Sequence, residues 1–163
     1  MTPSQYFCFV ARVLVVVVCL GFPSVAVGDS SKEPVAPVNT QNGWGIKGYD
    51  PVAYFTVGEP TKGGDAHIFH WKEVAYRFAS SDNLERFQAA PEKYLPQYGG
   101  YCSYAMSLNS IADIDPDRWA IVEEKLYLNN NRFSYGLWSV NKSGNIESAD
   151  RNWAAWPKKP EGD

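Results

Sequence analysis

The spacing of apolar and polar positions changes period along the chain, and each change marks an element. Between residues 66 and 79, AHIFHW and VAYRFA alternate with a period of two about Lys72-Glu73, which predicts an antiparallel hairpin. The next stretch, SDNLERFQAA, switches to helical spacing, with Leu84 and Phe87 three apart on one face and Pro91 ending the run. Ser81 or Asp82 is predicted to open this helix, with Glu85 placed to complete a capping box on Asp82. WAIV and LYLN flank Glu123-Glu124-Lys125 as a second hairpin. Helical spacing returns over 131–140 and 146–153, two closing helices separated by the turn NKSGN. Hairpins and helices in separate runs predict an α+β fold, small antiparallel hairpins packed with short helices and followed by a C-terminal helical extension.

The pattern also divides the chain. Residues 1–28 carry one charge, Arg12, then the apolar run VLVVVVCLGF and a small-residue ending, Ala26-Val27-Gly28. The run is about ten residues, too short to cross a bilayer as a helix, so the segment is predicted to be a signal peptide cleaved before Asp29 rather than a retained anchor. Val18 before Cys19 argues against a lipoprotein signal, which wants a small side chain there. Residues 29–43, DSSKEPVAPVNTQNG, are polar and aperiodic and are predicted to be a flexible leader. A single domain is expected over 44–156 and a proline-broken tail over 157–163.

Removal of the signal changes two counts. It takes away Cys8 and Cys19, leaving Cys102 alone of three cysteines, so the mature chain closes no internal disulfide and must rely on a packed core. It also takes Arg12 from 15 cationic side chains, leaving 14 against 18 acidic ones, a net charge near −4. That balance, with no basic stripe, excludes nucleic acid as a partner class. Six Trp and ten Tyr in the chain supply large areas for burial.

Candidate chemistry starts at PQYGGYCSYAM, where the one mature thiol, Cys102, sits among Tyr101, Tyr104 and Met106. A thiolate is a strong nucleophile and a soft metal ligand, whereas a buried free cysteine is an ordinary small hydrophobe. Gly99-Gly100 implies that the backbone turns sharply or passes something closely just before it, in a strand or extended loop over YCSYAM. His67 and His70 are possible imidazole partners for Cys102, but strand alternation sends them to opposite faces, so they cannot chelate one ion together. Asp50-Pro51 in GYDPVAYF is a turn or helix-start signal, and DIDPDR, with Asp113, Asp115 and Asp117, is a capped turn lacking the glycine and distal glutamate of a calcium loop. The sequence has no C-x-x-C, H-E-x-x-H, G-x-S-x-G or phosphate-binding glycine loop.

Three stretches in order, GYDPVAYF, YRFASSDNLERFQAAPEKY and PQYGGYCSYA, resemble the YHS domain and in particular its exported bacterial branch, over about Gly48 to Trp153. Metal-binding relatives, including the TRASH type, look like D-P-V-C followed by Y-x-F-C-S-x-x-C-x-x-x-F. Ala53, Ala79 and Asn83 stand where the resemblance places those three cysteines, so it implies a scaffold whose metal site is lost. Tyr76, Phe78, Leu84, Phe87 and Tyr94 are then expected to hold the hairpin and helix by contact instead.

These readings lead to an exported, periplasmic or secreted, non-enzymatic binding module that presents Cys102 to a soft metal such as copper or to a small ligand, with Tyr101, Tyr104 and Met106 around it. One alternative is a thiol-dependent peroxidase or reductase cycling Cys102 through sulfenic acid. Another is a scaffold that binds a second envelope protein through an exposed patch of Trp138, Trp153 or Trp156.

Overall fold

The computed structural model of the chain describes residues 32–160, so the predicted signal peptide lies outside the described residues. The fold is α+β, as the patterning predicts. The first hairpin is β3 (Gly64–Trp71) and β4 (Val74–Phe78), paired antiparallel with Phe69 opposite Tyr76 and Trp71 opposite Val74. Its two-residue turn places Lys72 and Glu73 at positive φ, the mirror-image geometry whose twist matches that of the strands. Two short strands, β1 (Thr40–Gln41) and β2 (Trp44–Gly45), extend the sheet in the order β1-β2-β4-β3, with β2 parallel to β4. The second hairpin, β5 (Asp115–Val122) and β6 (Lys125–Asn129), forms a separate two-stranded sheet and turns the same way, with Glu123 and Glu124 at positive φ.

The helices pack around these hairpins. After α1 (Ala53–Thr56) come α2 (Ser81–Ala89), α3 (Pro91–Tyr94) and α4 (Ser103–Ser107), and the C-terminal extension is α5 (Arg132–Val140) and α6 (Lys142–Ala155). Val74, Tyr76 and Phe78 alternate inward from β4 onto Phe87, Tyr94 and Val52. Of the five residues expected to hold this unit, Leu84 alone is only half-buried, at the cluster's edge. A second cluster joins Ile46, Tyr54 and Cys102 to Ile114, Leu126 and Leu128. A third, around Trp138, collects Tyr98, Met106, Tyr127, Ala149 and Trp156 from both halves.

Several local readings are corrected. α2 opens at Ser81, one of the two predicted positions, but its cap is not Asp82: the Ser80 hydroxyl accepts from the Asn83 N–H at 3.2 Å. YCSYAM is not a strand: Cys102 is the N-cap of α4. NKSGN is not a separating turn, since Asn141 accepts from the Gly144 N–H at 3.2 Å and winds the segment into α6. DIDPDR does hold an Asx turn, Asp117 N–H to Asp115 Oδ1 at 3.0 Å, but it runs directly into β5.

Residues 32–43 differ most from expectation. Instead of a loose leader they form a strap across the Gly99-Gly100 turn and the chain end. Val35 and Lys159 exchange backbone bonds with one another's neighbourhood, Val35 N–H to Pro157 C=O at 3.2 Å and Lys159 N–H to Val35 C=O at 2.9 Å. Asn39 donates to Gly99 C=O from its backbone and to Gly100 C=O and Asp113 Oδ1 from its side chain, at 2.8, 3.1 and 3.0 Å. Polar composition hid this, because these residues spend their hydrogen bonds on a distant turn rather than on water. Gly99 explains the glycine pair: at φ +61° a Cβ would lie 2.1 Å from the Pro37 carbonyl oxygen.

Candidate functional site

Cys102 sits at the junction of α4 and β6 and is 1 % exposed. Its Sγ accepts from the Ala105 N–H at 3.5 Å and the Asn130 N–H at 3.2 Å, and the thiol donates to Asn129 Oδ1 at 3.8 Å. The same Asn129 oxygen accepts from the Tyr104 N–H at 3.1 Å. Sulfur therefore does here what a Ser or Asp oxygen usually does at a helix start, and it adds a tie to the strand that precedes α5. Next to it, Asn129 Nδ2 and Ser103 Oγ are buried without a hydrogen-bond partner among the described residues.

The residues expected around the thiol are mostly elsewhere. Tyr101 is buried, but its hydroxyl donates to Ala36 C=O at 3.2 Å and its ring lies against Trp153. Met106 is fully buried in the Trp138 cluster, not in the cluster that holds Cys102. Tyr104 is half-buried and does pack against the cluster that holds Cys102, as well as against the Trp138 cluster, and its N–H shares the Asn129 oxygen with the thiol. His67 and His70 lie on β3, the edge strand of the other sheet, His67 on the half-buried face and His70 exposed, as alternation requires. The structure does not bring either histidine to Cys102. Among the described residues no group of three or more His, Cys, Asp or Glu side chains is placed to hold a metal ion.

A different polar centre unites the positions Ala53, Ala79 and Asn83. The Asp50 carboxylate is fully buried and takes four hydrogen bonds. Oδ1 accepts from the Val52 and Ala53 N–H groups at 2.8 and 3.3 Å, and Oδ2 accepts from the Ala79 N–H at 2.8 Å and Asn83 Nδ2 at 2.7 Å. All three positions thus converge on one carboxylate, which ties α1, the end of β4 and the first turn of α2 together. All four donors are neutral, so hydrogen bonding rather than ion pairing keeps the buried charge satisfied. The Asp-Pro signal marked the helix start but could not reveal the two donors about thirty residues downstream.

A further concave surface lies away from both centres. A cleft of about 690 Å³ runs between the β5–β6 turn and the junction of α5 and α6, lined by Lys125, Tyr127, Ser139, Lys142, Glu147 and Asp150 among others. Ser139 Oγ is buried there without a partner. Burial, with the nearby Asp150 and Glu123 carboxylates, pushes the Tyr127 phenol up to about 12, so it stays a neutral donor. Asp150 itself accepts from the Tyr98 hydroxyl at 2.9 Å, and burial together with that bond drives the Tyr98 phenol well above its ordinary range. The cleft thus offers carboxylates, ammonium groups and neutral hydroxyls together. Nothing in the local sequence announced it, since its lining comes from two separate stretches, 122–127 and 139–150.

The tryptophans expected as an exposed patch are instead core: Trp138 and Trp156 are buried and Trp153 is half-buried. Among the described residues no helix is long and apolar enough to cross a membrane. Comparison with protein-family models, with curated proteins and with solved structures finds no match for the chain.

Proposed function

We propose that the chain is an exported, YHS-like, non-enzymatic binding module of the cell envelope whose ligand is a small polar molecule held in the cleft beside Tyr127, with Cys102 serving as an internal fastening. The observation that carries this reading is a contrast in availability. Cys102 Sγ is buried and engaged by three protein groups, whereas the cleft is open and carries both signs of charge. Pockets that combine an apolar wall with a few convergent polar groups are the usual setting for small-molecule recognition. The convergence of Ala53, Ala79 and Asn83 on Asp50 supports the YHS resemblance, because positions that a shared metal would require to be neighbours are neighbours here. It also supplies a replacement for the lost clamp. Copper or another soft metal on Cys102 would need co-ligands that the described side chains do not gather around it.

A thermal-shift screen of amino acids, sugars, dicarboxylates and nucleosides tests the cleft. The expected result is a stabilising compound whose effect is lost in Tyr127→Phe or Asp150→Asn and kept in Cys102→Ser. A compound whose effect needs Cys102 and ignores the cleft variants would return the thiol to the centre of the function.

A further inference from the structure

Taking the cleft of the proposed function as the ligand site, we infer that residues 32–43 are a latch on it: docked, they hold the turn at Tyr98, Gly99 and Gly100 and, through the Tyr98 hydroxyl, fix Asp150 in the cleft wall. The strap is held lightly. Its residues are exposed or half-buried, and its apolar anchors, Val35 and Val38, touch two different core clusters from the edge. The rest of its hold is a short set of hydrogen bonds near the surface, to Pro157, Lys159, Gly99, Gly100, Tyr101 and Asp113. A segment with few buried apolar contacts and exposed backbone hydrogen bonds opens without global unfolding.

Beneath the strap lies a strained turn. Tyr98, Gly99 and Gly100 stand in succession at φ 57, 61 and 78°, and for a bulky residue such as Tyr98 this region is costly unless its surroundings enforce it. The strap enforces it from one side. Asn39 donates to Gly99 C=O and Gly100 C=O at 2.8 and 3.1 Å, and the Tyr101 hydroxyl donates to Ala36 C=O at 3.2 Å. The cleft enforces it from the other. The Tyr98 hydroxyl donates to Asp150 Oδ1 at 2.9 Å, and Trp153, one turn further along α6, sets its ring 6.5 and 6.0 Å from those of Tyr98 and Tyr101. Strap, turn and α6 are thus joined by direct contacts, so freeing the strap loosens the grip on Asp150. Two sites that bias one two-state element influence each other reciprocally.

Hydrogen exchange of the full chain, read by mass spectrometry, tests the latch from both ends with no added compound. In wild type the strap amides of Val35 and Asn39 should exchange roughly tenfold or more faster than those of β4 and β6. Asn39→Ala, at the strap end, should speed exchange severalfold over 98–101 and over 146–153 of α6, while α2 keeps its protection. Tyr98→Phe, which keeps the ring and removes the bond to Asp150, should speed exchange of the strap in return. In the double variant the two effects should fall well short of additive. Strap amides that exchange only with global unfolding overturn the latch. So does a loosened strap that leaves 146–153 unchanged, or a strap indifferent to Tyr98→Phe. Because no compound enters this experiment, its failure leaves the thermal-shift result for the cleft standing, and a screen without a stabilising compound leaves the exchange pattern to decide the latch.

Discussion

Asp50 and Cys102 are both buried polar side chains set just ahead of a short helix, and both tie that helix to a distant strand, yet their terms differ. Asp50 is a charged acceptor with four donors, at 2.7–3.3 Å, and it binds three segments at once. Cys102 is a weak acceptor at 3.2–3.5 Å and a weak donor at 3.8 Å, and two neighbouring polar groups are left without partners. A carboxylate that satisfies every group around it leaves no room for substitution, because its loss strands each donor away from water. A thiol in a half-satisfied setting holds less, and an oxygen can take over part of its task. The stronger fastening lies in the half of the molecule where the resemblance implies that metal was lost.

The largest effect should therefore come from Asp50→Ala, which leaves the Val52, Ala53, Ala79 and Asn83 donors unpaired. A loss of about 3–5 kcal/mol in denaturant unfolding is expected, enough to leave a domain of this size marginal. Cys102→Ala should cost about 1–3 kcal/mol through lost packing and lost N–H acceptance. Cys102→Ser should cost less than Cys102→Ala, since a hydroxyl accepts the Ala105 and Asn130 N–H groups more strongly; if serine proves the worse of the two, apolar packing and not hydrogen bonding explains the residue. Away from both centres, Gly136→Ala should stabilise the fold by about 0.5–1 kcal/mol, read as a rise in the denaturation midpoint.

The smallest expected effect is a pH dependence. Burial pushes the Asp113 carboxyl up, but hydrogen bonds from Lys47 and Asn39 outweigh it and hold it below the usual range. A carboxyl depressed in the folded state stabilises above its unfolded value, about 4, and that contribution disappears as the pH falls through the folded value. Because Asp113 is half-exposed, solvent screening limits the term to about 0.5 kcal/mol. Asp113→Asn should remove this part of the acid sensitivity while leaving the midpoint at acid pH nearly unchanged.

The fold was legible in the sequence where local pattern and tertiary demand agree. Both hairpins and the two closing helices follow from alternation and helical spacing, and the face of His67 against that of His70 follows from strand geometry alone. The cap of α2 was misplaced, since Ser80 and not Asp82 supplies it, and the boundary of α6 failed because Asn141 caps it several residues earlier than expected. The centres were legible only in part. Gly99-Gly100 did signal close approach, but to the strap at Pro37 rather than to a ligand at Cys102. Asp50 showed its helix-start role, while its bonds to Ala79 and Asn83 depend on long-range packing that no local spacing encodes. The tryptophans misled for a related reason: aromatic residues suit interfaces and cores alike, and Trp138 supplies the C-terminal core while the exposed stripe falls to Phe133, Leu137 and Val140 on the other side of the same helix.

The proposal that Cys102 is an internal fastening and not a reactive site is tested by alkylation followed by intact-mass analysis. The account predicts that the native protein resists iodoacetamide and that modification proceeds only at the rate of global unfolding, rising in step with denaturant. Rapid single-site modification of the folded protein would contradict it, because a thiol that is 1 % exposed lies out of the reagent's reach.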